Sequence, residues 1–132
     1  MLNGDRNTPY KNGRLIAVPV AAATLCYAGG LAVANATGYA EGGSVATTLT
    51  YLGRFEEQVD NSSGADGDKQ VLVRRGDAFK FGNSGSDPVT QASFGKVCYI
   101  VDDETVASTD GTGTRSAAGV VVGIDDDGVW VE

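Results

Sequence analysis

The residues best suited to chemistry in this chain are its carboxylates, and they come in two tight runs, Asp102-Asp103-Glu104 and Asp125-Asp126-Asp127. Grouped carboxylates can hold calcium or share acid–base work, but both tasks depend on spacing. A helix–loop–helix calcium loop alternates its ligands and closes on a late glutamate. Here the acids are consecutive, and Glu132 follows Asp125 too early. A carboxylate hydrolase needs two acids converging in an apolar cleft, and nothing in the spacing places them so. The runs read as strand-ending turns with solvated charge. The chain has no histidine, which removes the commonest general base and metal ligand. Cys26 and Cys98 lie in the apolar runs Thr24-Leu25-Cys26-Tyr27 and Val97-Cys98-Tyr99-Ile100, without a CxxC partner. They are expected as buried thiols rather than as a disulfide or a nucleophile. Arg115 is the one base among the acids of residues 100–132. A half-buried ion pair with Asp102 or Asp103 is expected of it, since a charge leaves water only with a partner.

Other motifs reduce to turn chemistry. Arg75-Gly76-Asp77 matches a cell-adhesion tripeptide, but Gly-Asp at a strand end accounts for it. Asn35-Ala36-Thr37 and Asn61-Ser62-Ser63 match glycosylation sequons and also the residues that turns favour. Gly111-Thr112-Gly113-Thr114 is a glycine loop with no helix after it to hold a phosphate. There is no P-loop and no dinucleotide fingerprint, so no cofactor and no metal are expected.

The elements that carry these residues read as strands. Glycine is frequent, at 19 of 132 residues, and β-branched residues fill short runs between turn signals. Residues 14–20 form a first strand, with Pro19 marking an edge or an irregularity. Residues 24–28 and 31–34 flank Gly29-Gly30, which predicts a hairpin. Residues 47–57 alternate: Leu49, Tyr51, Gly53 and Phe55 share one face, and Leu52 breaks the pattern on the other. Residues 60–68 read as a polar exposed loop, 69–75 as a strand with Val71 and Val73 inward, and 78–82 as a strand with Phe79 and Phe81 inward. The apolar run 96–101 predicts a strand buried on both faces. A short strand at 105–108 follows. Residues 118–124 and 129–131 are the last strands, with Asp127-Gly128 as a type I′ turn. Nine or ten strands and no helix of three turns predict an all-β fold, a single compact β-barrel or sandwich domain over 14–132. Residues 1–13 are polar and read as an extended arm.

Charge separates the arm from the body. The net charge is −7. Residues 1–14 carry Arg6, Lys11 and Arg14 against Asp5, whereas residues 100–132 carry eight acids against Arg115 alone. An acidic body repels phosphate, so direct nucleic-acid binding is not expected. Lys11 and Arg14 before the apolar stretch 15–34 imitate a secretory signal, but Pro19, Thr24 and Gly29-Gly30 interrupt it, and a membrane span is not expected.

Several stretches carry a resemblance. Gly95-Lys96-Val97-Cys98-Tyr99-Ile100-Val101-Asp102-Asp103-Glu104-Thr105-Val106 is followed by Arg115-Ser116-Ala117-Ala118-Gly119 and Asp127-Gly128-Val129-Trp130-Val131. Together with Ile16-Ala17-Val18-Pro19-Val20 and Leu52-Gly53-Arg54-Phe55-Glu56-Glu57, this resembles the capsid decoration (cement) proteins of Mu-like and related tailed siphophages. The resemblance implies a β-barrel-like or tulip-like body without catalytic residues, assembling as a homotrimer. It implies a virion protein made in the bacterial host cytoplasm and bound to the outer surface of the capsid. There it would tie neighbouring major capsid proteins together against packaged DNA. Within it, the basic arm supplies the capsid-contact candidates Arg6, Tyr10, Lys11 and Arg14. Two other classes stand beside it. A secreted or surface β-domain binding a receptor or glycan requires cleavage of the N-terminal segment. A small Asp/Glu hydrolase or lyase requires a cleft with perturbed carboxylates.

Overall fold

The computed structural model describes all 132 residues. Twelve strands run β1 (Leu15–Pro19), β2 (Thr24–Cys26), β3 (Leu31–Ala34), β4 (Ala40–Gly42), β5 (Thr50–Phe55), β6 (Val59–Asn61), β7 (Gln70–Arg74), β8 (Phe79–Asn83), β9 (Val97–Ile100), β10 (Thr105–Ala107), β11 (Ala117–Asp125) and β12 (Gly128–Val131). The only helical element is a 3₁₀ turn at Gln91–Ser93. The fold is all-β, as the composition predicts, with more and shorter strands than the turn signals alone suggest. No helix is long and apolar enough to cross a membrane.

The strands form a five-stranded sheet in the order β1-β7-β5-β3-β4, a closed five-stranded barrel in the order β10-β8-β12-β11-β9, and a β2–β6 ribbon. All pairs within the sheet are antiparallel. In the barrel only β10 and β8 run parallel. Together they make a compact sandwich-like body whose middle layer is the sheet. Strand β3 explains the layering. Leu31 and Val33 join Phe79, Phe81, Cys98, Ile100, Val106, Val121, Val129 and Val131 in the barrel core. Ala32, between them, joins Val18, Val20, Cys26, Phe55, Val71 and Val73 in a second core beneath the ribbon. Successive side chains of a strand alternate in direction, so one strand serves two cores. Tyr51 meets Phe81 edge-on, with ring centroids 6.5 Å apart, a favoured aromatic geometry.

Strand β5 also serves both cores, but by a different device. Its register against β3 slips between Tyr51 and Gly53, leaving Leu52 as the extra residue of a bulge. The bulge reverses the alternation. Leu49 and Tyr51 pack on the barrel core, whereas Leu52 and Phe55 pack on the second core. The expectation that Leu49, Tyr51 and Phe55 share a face is therefore corrected, and Leu52 is the residue that changes the phase.

Three further expectations are corrected. Gly29-Gly30 does turn the chain, with Gly29 at φ +84°, yet β2 and β3 do not pair. β2 pairs with β6, and Gly30 instead extends the β3–β5 ladder through the Phe55 N–H to its carbonyl at 2.9 Å. The strand at 97–100 is buried on one face only: Cys98 and Ile100 face the core, whereas Val97 is exposed. The last hairpin exists, but its turn is Asp126-Asp127, with Asp125 opposite Gly128. Neither turn residue has positive φ, so the turn is not type I′. Gly128 is required for close approach, since a Cβ there would meet the Phe81 carbonyl and the Lys80 stem at 2.7 Å.

Asn61 departs from the polar-loop expectation. It ends β6 and is buried, with its amide donating to the Ala21 carbonyl at 2.9 Å and the Ala65 carbonyl at 3.0 Å. It thereby ties the 62–68 turn to the end of β1.

Candidate interaction surface

The arm emerges from the edge of the five-stranded sheet. Residues 1–13 carry no strand or helix, and every one is exposed. Tyr10 is 99% exposed, and Met1 and Leu2 are exposed as well. Arg6, Tyr10 and Lys11 therefore stand clear of the body. Arg14 differs from them. Its N–H donates to Asn12 Oδ1 at 3.0 Å, its carbonyl accepts the Arg75 N–H at 2.7 Å, and its guanidinium pairs with Asp77. Arg14 is the hinge pin of the arm, held at the start of β1. The same contact engages the aspartate of Arg75-Gly76-Asp77, where Gly76 makes the turn at φ +77°.

The isolated base finds a partner, but a different one. Arg115 donates through Nη1 to Asp87 Oδ2 at 2.7 Å and to the Thr109 carbonyl at 3.1 Å. It does not pair with Asp102 or Asp103. The side chains of Arg115 and Asp87 are 16% and 25% exposed. Asp87 Oδ2 also accepts the Thr109 hydroxyl at 2.6 Å, and these contacts, Thr109 first and Arg115 after it, hold the Asp87 carboxyl below its ordinary range. The parallel β8–β10 pairing places the loops after both strands side by side and so brings the two residues together.

The acidic runs act as turn and docking elements. Asp102 Oδ1 caps the Glu104 N–H at 2.9 Å. The Asp103 carbonyl accepts the Leu31 N–H at 2.7 Å, which joins the barrel to the sheet. Asp103 and Glu104 face Tyr27, Ala28, Gly29 and Gly30 across an open cleft of about 410 Å³. In the second run, Asp127 takes a hydrogen bond from Lys80 Nζ at 2.9 Å and Asp125 takes one from Trp130 Nε1 at 2.8 Å. Lys80 also lies over the Trp130 ring, 5.7 Å from its centroid, a cation–π contact. No three acidic or sulfur side chains converge in a geometry that could hold a metal ion.

Both cysteines are buried free thiols, as expected, one in each core. Burial pushes Cys26 up to about 11, with help from the nearby charge of Glu41, and pushes Cys98 up to about 12. Asn35 Oδ1 accepts the N–H groups of Thr37 and Tyr39, so its sequon is turn chemistry. The Asn61 amide is committed to backbone carbonyls inside the fold.

One surface was not foreseen. Phe94, Val97, Val120 and Val122 are all exposed, on β9, on β11 and beside Gly95, whose N–H bonds to the Val121 carbonyl at 2.8 Å. Val97 and Val120 are direct cross-strand partners. The continuous apolar spelling of residues 97–101 hid this face. Val120-Val121-Val122 is an unbroken apolar run too, and only the structure shows that Val121 is buried between two exposed neighbours.

No protein-family model, curated protein or solved structure matches the chain.

Proposed function

We propose that this chain is a structural virion protein that decorates the outer surface of a tailed-phage capsid and bridges neighbouring major capsid proteins. The observation that carries the structural side of this proposal is the pairing of an all-β body with an arm whose Met1, Leu2 and Tyr10 have no cover within the chain. Large apolar side chains left in water on an extended segment mark a surface that another molecule completes. A segment that orders on contact can span several neighbours at once. The resemblance of residues 95–106 and 115–131 to siphophage cement proteins supplies the class of partner. Arg6, Tyr10 and Lys11 are the contacting side chains, and Arg14 fixes the direction in which the arm leaves. Assembly as a homotrimer belongs to the same proposal, since many identical weak contacts on one shell act multivalently.

Deleting residues 1–13 tests it. The body should fold unchanged, because no core residue lies in that segment. Binding to empty, expanded heads of the cognate major capsid protein, measured by co-sedimentation, should fall at least tenfold. Undiminished binding of the truncated chain would remove the arm from the mechanism.

A second reading draws on the cleft beside Tyr27. An exposed aromatic ring next to Asp103 and Glu104 is chemistry that would suit a glycan-binding surface domain. Titrating sugars against the Tyr27→Ala variant, with tryptophan and tyrosine fluorescence as readout, separates it from the first.

A further inference from the structure

We infer that the arm of one copy docks on the outer barrel face of a second copy, along Phe94, Val97, Val120 and Val122. The inference rests on the arm being a contact segment, as in the proposed function, and it names this chain itself as one of its partners. Two surfaces of the molecule lack a cover, and they complement each other. The arm offers Leu2 and Tyr10, and the barrel offers a patch of four exposed apolar side chains.

Charge completes the match. Arg6 and Lys11 on the arm make no ion pair, whereas Arg14 is already engaged by Asp77. The barrel face is bordered by carboxylates. Glu132 lies directly across from Val120, with mutual backbone hydrogen bonds of 2.8 and 2.9 Å. Asp125 ends the same strand, β11, and Asp126 and Asp127 follow it in the turn. Lys80 is shared between Asp125 and Asp127 and Lys96 adjoins Val97, so four carboxylates border the face against two lysines. A basic apolar segment is thus matched to an acidic-rimmed apolar face.

Reach allows the arm to meet a second copy. Thirteen extended residues span roughly 40 Å, longer than the body is wide at a radius of gyration near 14 Å. The arm is pinned at Arg14 on β1, the outer edge of the sheet, and none of its residues is covered by the chain it belongs to.

Complementation between two defective chains tests the geometry. One chain lacks residues 1–13 but keeps the patch. The other carries Val97→Glu and Val122→Glu, both at exposed positions, but keeps the arm. Sedimentation equilibrium should find the intact chain as an oligomer whose association weakens with added salt. Each defective chain alone should have the mass of one chain, and their mixture should regain the mass of two. Three results would overturn the inference: an intact chain that is monomeric up to its solubility limit, an armless chain that associates as well as the intact one, or a mixture that stays monomeric. All of these are read without shells. Failure of shell binding with complementation intact would count against the capsid proposal and leave this one standing.

Discussion

At the scale of single residues, the chain satisfies its isolated charges through topology rather than proximity in sequence. Arg115 carried a clear demand for a partner, legible from its position among acids. The identity of that partner was not legible, because Asp87 lies in a different loop and reaches Arg115 only once β8 and β10 pair in parallel. The pair has a pH signature. Asp87 titrates below its unfolded value, with Thr109 and then Arg115 as the causes. Its contribution to stability is therefore complete above the ordinary carboxylate pKa of roughly 3.9 and is lost as pH falls through the lower folded value. Arg115→Met keeps most of the packing and removes the charge. Its acid-unfolding midpoint, followed by circular dichroism, should move to higher pH. An unchanged midpoint would show that Thr109 alone holds Asp87.

At the scale of elements, period-two alternation was a sound guide wherever a strand kept one phase. β7 and β8 place Val71, Val73, Phe79 and Phe81 inward as their spelling predicts. The guide failed where a strand changes phase or where two runs are near in sequence but belong to different sheets. β5 is the first case: Leu52 shows as the one break in its alternation, but an apolar residue out of phase does not by itself say that the strand changes phase there. β2 and β3 are the second: the two glycines permit a hairpin, but the apolar demand of β3 on both faces places it inside the sheet, between β5 and β4, and β2 is left to β6. The bulge gives a sharp prediction. Gly53 sits at φ +138°, and a Cβ there would collide with the Arg74 carbonyl on β7. Gly53→Ala should cost about 3 kcal/mol, read as a lowered urea midpoint with an unchanged slope. A cost near zero would mean that β5 and β7 separate freely at that point.

At the scale of the whole molecule, two cores share β3 and β5 and should melt together. Each core contains one reporter. Cys26 lies in the sheet–ribbon core and Cys98 in the barrel core, and burial keeps both thiols protonated at neutral pH. Native protein should resist thiol reagents. In increasing urea, Cys26 and Cys98 should become labelled along one common transition, as expected of a small cooperative domain. Labelling of either thiol at distinctly lower urea would divide the body into separable units. The burial of both cysteines was readable from their apolar surroundings. Their assignment to separate cores was not, because it depends on which face of the sheet each strand meets.

The position of β12 bears on how the molecule is made. Gly128–Val131 is the last strand in sequence, yet it lies inside the ring between β8 and β11. It supplies Val129 and Val131 to the same core that Leu31 and Val33 enter from near the start. On the ribosome, the barrel-facing side of the sheet must therefore wait for β12 to leave the exit tunnel. Loss of even this short segment opens the ring and exposes two new strand edges, on β8 and β11. A chain that stops short of β12 is then a substrate for chaperones or a seed for aggregation, and only a copy that includes β12 can close.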